Sequence, residues 1–397
     1  MNITLESHLK LSPLSIRQEK KHYIVEDSLS GEFYEMPKIC IDAIEMIQEG
    51  QSLGEVERFL LMSYPEEDVD LLSFAEQIID FGLVTEVDGE VMTVLKKHGK
   101  SDGFTWIPAK LGHLFFNKIT NKLYIAIFIV NILLIIRNPH LFPSYKAIFL
   151  FDSMVFNVLA FTLITLLLIF IHEFGHVFAI RSYHLPAQLN IGHRLFLVVF
   201  ETDLTTAWRL QSKERNILFF AGICFEQLIV FIALCLKLFV PEGNTLFIGI
   251  LNIIIFDIVV KLIYQCCFYM KTDIYYFIEN ITGSYNLMEN SKQLLRKWLP
   301  FIKADKSTTT FTEERKFVHM YSGFYVFGFI LTIALFGLYF IPQAIFMYSR
   351  TFTNLFHPSS TAYFWDAIII VVQTVLLIGM LFYSIQKNRR EDIGIGE

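Results

Sequence analysis

The alternation of apolar and polar positions changes character near residue 105. Before that point, short alternating runs at 15–19, 22–27 and 31–35, broken by turn-forming Ser28 to Gly31, read as a small antiparallel sheet. Apolar residues at helical spacing then predict helices over 38–47, 53–62 and 69–81, with Pro65 and Gly82 as punctuation. After Pro108 the pattern becomes six long apolar stretches, at 123–136, 147–180, 217–240, 246–270, 317–347 and 364–385. About 20 helical residues at 1.5 Å rise cross a hydrocarbon layer of about 30 Å, so these stretches predict about six transmembrane helices. The expected fold is a mainly α-helical polytopic membrane protein with a small N-terminal α+β winged-helix-like domain. Residues 1–100 form the first domain, 101–120 a linker, and 121–390 the membrane-embedded part.

Composition sharpens this picture. Of 397 residues 54% are hydrophobic and 18% charged, and 40 are Phe; soluble domains carry about 45 to 50% and about 25%. An ordinary soluble enzyme is excluded, and the lipid bilayer is the expected partner. A net charge of -6 without a basic arm excludes nucleic acid. Cys40, Cys224, Cys235, Cys266 and Cys267 form no C-x-x-C pair, so neither a disulfide framework nor a thiolate zinc site is expected. The first ten residues lack the basic start and apolar core of a secretion signal. Basic residues gather before the first stretch (Lys118, Lys122), after the second (Arg181, Arg209, Lys213, Arg215), throughout 271–316 and at the end (Lys387, Arg389, Arg390). The positive-inside rule then places both termini in the cytoplasm of a multi-pass cell-membrane protein, and a bacterial host is expected.

Chemistry is concentrated in the second apolar stretch, which reads LLLIFIHEFGHVFAIRSYH. His172 and His176 lie four residues apart, within about 40° on one helix face, so both imidazoles can reach one zinc ion, with Glu173 beside them as a base. A carboxylate buried among apolar helices costs several kcal/mol unless it is paired or ligated, which favours a metal site over a structural polar pair. Hydrolytic zinc usually takes a third protein ligand and keeps one position open. Asp273, just beyond the fourth stretch, is on the matching side. Asp257 lies about four turns deeper, and Glu226 and Asp203 are the other carboxylates within reach. His184 and His193 read as polar anchors at a membrane interface. The run from Lys292 to Lys306 reads as a solvated loop, with anionic lipid a weaker alternative.

The segments HEFGHVFAIRSYHLPAQLNIGH, ETDLTTAWRLQSKERNILFFAGICFEQL and MKTDIYYFIENITGSYNL occur in this order. Together they resemble the site-2 protease superfamily, in its branch of bacterial peptide zinc metalloproteases, over about residues 161–287. The resemblance implies that His172, His176 and Asp273 are zinc ligands and Glu173 the catalytic glutamate; it leaves the role of Asp203 open. The family pattern has Gly after the ligand aspartate and Pro or Asn before it, where this chain has Ile274, Cys267 and Phe268. Residues from about 11 to 88, with HYIVEDSLSGEFYEM and DFGLVTEV, resemble PqqD-like domains, which bind leader segments of precursor peptides as an added strand. The combined expectation is an intramembrane zinc metalloendopeptidase that matures a ribosomally synthesised peptide such as a bacteriocin. Its strand at 188–201 would hold the substrate extended, and peptide-modifying enzymes or an exporter are possible partners. Two other classes are a peptide exporter or immunity protein that keeps zinc for structure, and a scaffold of a peptide-maturation complex.

Overall fold

The computed structural model describes residues 3–19, 22–67, 69–92, 103–194, 197–240, 245–284, 286–297 and 315–394, with side chains at 193–199 and 387–394 excepted. The chain divides into two compact units, Met1–Asp102 with Thr205–Ser212, and Gly103–Leu204 with Lys213–Glu397. Most of the basic run from Lys292 to Lys306 lies outside the described residues, as do the side chains of His193, Lys387, Arg389 and Arg390.

The first unit contains two three-stranded antiparallel sheets. In one, β2 (Leu14–Glu19), β3 (His22–Asp27) and β4 (Phe33–Met36) follow in sequence order, so β3 is central and β2 and β4 are the outer strands. The turn from β3 is built on Asp27, whose carboxylate accepts from the backbone N–H of Leu29 and Ser30 and from the Ser12 hydroxyl. Gly31 follows at φ 71°, where a side chain would be strained. The other sheet joins β1 (Leu9–Leu11), β5 (Val84–Val87) and β6 (Glu90–Val91). Its strands are too short to show alternation, although Asp88-Gly89, at φ 49° and 85°, is the left-handed pair that closes a tight hairpin.

Helices α1 (Lys38–Gln48), α2 (Leu53–Ser63) and α3 (Leu71–Asp80) start where the sequence supplies a stop or cap. Pro37 precedes α1, and Ser52 and Glu55 form a reciprocal capping box on α2. Asp70 caps α3, which is why that helix begins two residues later than the apolar periodicity suggests. Val25, Ile44, Leu53, Val56 and Ala75 are fully buried between these helices and the strands. The segment Thr205–Ser212 belongs to the same unit: the Arg17 guanidinium on β2 donates to the carbonyls of Trp208, Arg209 and Leu210, and Arg209 pairs with Glu26 on β3.

Among the described residues the second unit holds six helices long and apolar enough to cross a membrane. They are α5 (Lys118–Arg137), α6 (Met154–Ser182), α7 (Ser212–Phe239), α8 (Thr245–Tyr264), the continuous 315–355 helix made of α11 (Arg315–Leu335) and α12 (Ile341–Leu355), and α13 (Ala362–Gly394). A wide turn at Phe336–Phe340 joins α11 to α12 immediately before Pro342, which has no N–H to give to the preceding turn. Two helices are shorter than their apolar stretches. α6 begins at Met154 because Ser153 caps it, and α8 ends at Tyr264 because residues 265–272 leave the helix to carry Asp273 into the short helix α9 (Asp273–Thr282).

The stretch expected as a linker is packed from Gly103 onward against α6. The helix α4 (Ala109–Phe115) approaches so closely that a Cβ on Gly112 would meet the Phe178 carbonyl at 2.5 Å. Arg181 binds the carbonyls of Thr105 and Ile107. At the opposite end of α6, buried Asp366 of α13 accepts from the backbone N–H of Met154 and Val155 at 2.9 and 3.0 Å and from the Ser153 hydroxyl.

Asp366→Ala removes this cap from a different helix and leaves its donors unpaired, so the unfolding midpoint in detergent should fall, by the equivalent of about 1 to 3 kcal/mol; Asp366→Asn should lose less. A second prediction concerns Glu279 on α9, whose carboxyl is pushed up to about 7 by burial while the Tyr275 hydroxyl and the Leu287 N–H act against that rise. The folded protein therefore binds more protons than the unfolded chain between about pH 4.5 and 7, and stability should fall as pH rises through that window and level off above it. Thermal unfolding of Glu279→Gln at pH 5 and pH 8 should show this part of the pH dependence lost.

Candidate metal centre

His172 and His176 stand one turn apart on α6, and their rings turn their Nε2 atoms toward each other, 3.2 Å apart. Asp273 arrives from α9, with Oδ2 3.1 Å from His172 Nε2 and 3.6 Å from His176 Nε2. Four ligands at about 2.0 to 2.1 Å in a tetrahedron lie about 3.3 Å from one another, so these three edges match the face of a tetrahedral zinc site. Two imidazole nitrogens and one carboxylate oxygen are also the donor set that hydrolytic zinc takes, with a fourth position left open.

Each candidate ligand is held from behind. His176 Nδ1 lies 2.9 Å from the main-chain carbonyl of Leu218 on α7, which fixes the proton on Nδ1 and leaves the Nε2 lone pair for a metal. His172 Nδ1 faces Glu226 of α7, whose Oε1 lies at 3.3 Å. Asp273 is clasped by Gln265, which donates from Nε2 to Oδ2 and accepts the Asp273 backbone N–H on Oε1, both at 3.1 Å. Thr272 caps α9 and returns its hydroxyl to the Gln265 carbonyl. Burial raises the Asp273 carboxyl, and the two imidazoles outweigh it and hold the group well below the usual carboxylate range. Lys271 does not compete, since it pairs with Glu289 at 2.9 Å.

Small residues let the helices come this close. A Cβ on Gly222 would meet the His172 ring at 2.5 Å, and one on Gly175 would meet the Ala221 carbonyl at 2.6 Å. The Ala221-Gly222 pair therefore serves the site sterically: it makes room on α7 for the imidazole.

Glu173, next to His172, is reached by the two-stranded antiparallel ribbon of β7 (Gln188–Arg194) and β8 (Leu197–Asp203). Thr202 of β8 donates both its backbone N–H and its hydroxyl to Glu173 Oε2, each at 2.8 Å. The Phe170 and Phe200 rings, 4.7 Å apart, fasten the same strand to α6. Asp203 follows Thr202 opposite Gln188, on the other face of the ribbon.

Of the residues singled out in the sequence, His172, His176 and Asp273 come together, while Glu173, the residue after His172, is held by Thr202. Asp257 is instead joined to Thr165 and Lys261, and His184 meets His113 edge to face. Thr202 lies in the ETDLTTAW segment that carries the resemblance, although nothing there announces its bond to Glu173; Gln265 and the Leu218 carbonyl carry no motif, and only their meeting with the site reveals them. Around the candidate centre Glu226, Asp257 and Asp273 are joined through His172 and Lys261, three carboxylates against one lysine, a negative excess that a divalent cation would reduce.

Gln265→Ala should weaken zinc binding about 10- to 100-fold, read by competition with a chelating dye, because Asp273 then loses both contacts that aim it. An affinity unchanged from wild type would show that the carboxylate needs no such support. No family model, curated protein or solved structure matches the chain, so the assignment rests on this geometry.

Proposed function

We propose that the chain is an intramembrane zinc metalloprotease of the site-2 protease type that cleaves a peptide bond in a peptide or membrane-associated precursor. The observation that carries this reading is the convergence of His172, His176 and Asp273 at tetrahedral spacing, among helices apolar enough for a bilayer, with Glu173 next to His172 in the chain. Zinc at this position supplies a Lewis acid that polarises a carbonyl and brings the pKa of water to about 7.

The chain's own groups supply the rest. Glu173 is the base and proton carrier: its Oε2 is oriented by the two Thr202 donors, and it takes a proton from the attacking water and passes it to the leaving amine. A helical substrate hides its carbonyls in hydrogen bonds, so the scissile segment has to be extended, and the ribbon β7–β8 offers the backbone against which to extend it. Phe200 and Thr202 fix that ribbon to the helix bearing Glu173, which ties the strand to the reacting position.

The substrate class is the precursor of a ribosomally synthesised peptide, by the resemblance of both domains. The first unit suits capture of a leader because its sheet has outer strands, and β2 is the edge on which an added strand would lie. Such capture raises the local concentration of the scissile segment. The apolar helices and the basic loops between them fit a multi-pass membrane protein with cytoplasmic termini.

Glu173→Gln keeps the ligands and removes the base. Mass spectrometry of a co-expressed candidate precursor should show cleavage reduced about 10²- to 10⁴-fold, while metal analysis of the purified variant still finds zinc. Full cleavage by this variant would sink the protease reading.

A further inference from the structure

Glu226 is 2% exposed within the apolar stretch of α7, a costly place for a carboxylate that ligates nothing. Its surroundings form a closed circuit. Oε1 lies 3.3 Å from His172 Nδ1 on α6 and 3.9 Å from Lys261 Nζ on α8. Lys261 Nζ lies 2.7 Å from Asp257 Oδ2, one turn back on α8. Asp257 Oδ1 accepts the hydroxyl of Thr165 at 2.8 Å, which returns the path to α6. Thr165 and His172 are seven residues apart, two turns along one face of that helix. Three helices are thus tied together by charged side chains that end on a ring at the metal centre.

We propose that Glu226 is a positioning residue for His172, held in place by Lys261 and Asp257, an inference that rests on the zinc reading above. The chemistry is one of tautomers. A carboxylate can only accept, so Glu226 at Nδ1 selects the imidazole form with its proton on Nδ1 and its lone pair on Nε2, the atom that faces His176 and Asp273. The contact has the distance of a charge pair and lacks the alignment of a finished hydrogen bond, so a metal on Nε2 should draw the ring into it. The two histidines differ in this respect. His176 relies on a main-chain carbonyl that no substitution removes, whereas His172 relies on a side chain. Gly222 lies one turn from Glu226 on α7 and leaves the ring room to take up the imposed orientation.

The test compares wild type with Glu226→Leu, Glu226→Gln and Glu226→Asp, each purified in detergent and stripped of metal. Zinc affinity and the visible spectrum of bound cobalt are measured, together with the ¹⁵N shifts of labelled histidine, assigned to His172 by its absence in His172→Ala. Glu226→Leu should bind zinc about 10- to 100-fold more weakly and lose the Nδ1–H signature of His172. Glu226→Gln keeps an oxygen acceptor at the same reach and should restore both. Glu226→Asp keeps the charge, falls one methylene short, and should not. If Glu226→Leu fails to fold, the contrast between Gln and Asp decides, and any pattern other than Gln restored and Asp impaired overturns the proposal. Wild type taking up neither zinc nor cobalt overturns the metal reading and this inference with it; wild-type uptake with an unimpaired Glu226→Leu overturns the inference alone.

Discussion

An imidazole or carboxylate buried between apolar helices needs a protein partner for its hydrogen bonds, and this requirement organises much of the second unit around α6. Asp366 of α13 closes one end of α6, and Arg181 near the other end binds the carbonyls of Thr105 and Ile107. Between those ends the helix carries Thr165, His172, Glu173 and His176, each meeting a group from a different element. Apolar packing holds the helices near each other, while the polar contacts determine which faces meet.

The candidate metal centre depends on that meeting of faces. The candidate ligand atoms are aimed from behind by a main-chain carbonyl, a carboxylate and a side-chain amide, each of a kind that sets a proton or a lone pair in one direction. Glu173 is held by a strand, so it and the candidate ligands are positioned by different parts of the fold. Under the proposed function that separation has a use. The ligands can stay rigid on helices, while the base shares its support with the ribbon that is proposed to receive the substrate.

The first unit meets the same demand for partners by local means. Asp27 satisfies a turn from within three residues of its own position and is joined by Ser12, and Ser52 with Glu55 satisfies the start of α2. Burial works to raise the Asp27 carboxyl, and its donors together outweigh it and leave the group below the usual range. The Arg17 guanidinium ends the carbonyl run at Trp208 to Leu210, holding that segment to the edge strand β2.

What could be read from the amino-acid order alone was whatever depends on neighbours a few positions away. The six apolar helices, the strands β2 to β4, the starts of α1 and α2, and the pairing of His172 with His176 all follow from periods of two and 3.6 residues and from local stops. The hairpin at Asp88-Gly89 was also written there, in a two-residue signal flanked by strands too short to display a period. The tertiary structure decided the rest. Asp273 lacks the neighbouring glycine and proline of the family it resembles, and Gln265, eight residues earlier, holds its carboxylate and its backbone N–H. Thr202 reaches Glu173 across 29 positions, and Glu226 reaches His172 from another helix. Such meetings leave no period or spacing in a sequence, because the free energy that selects them comes from desolvated groups finding each other only after the helices have packed.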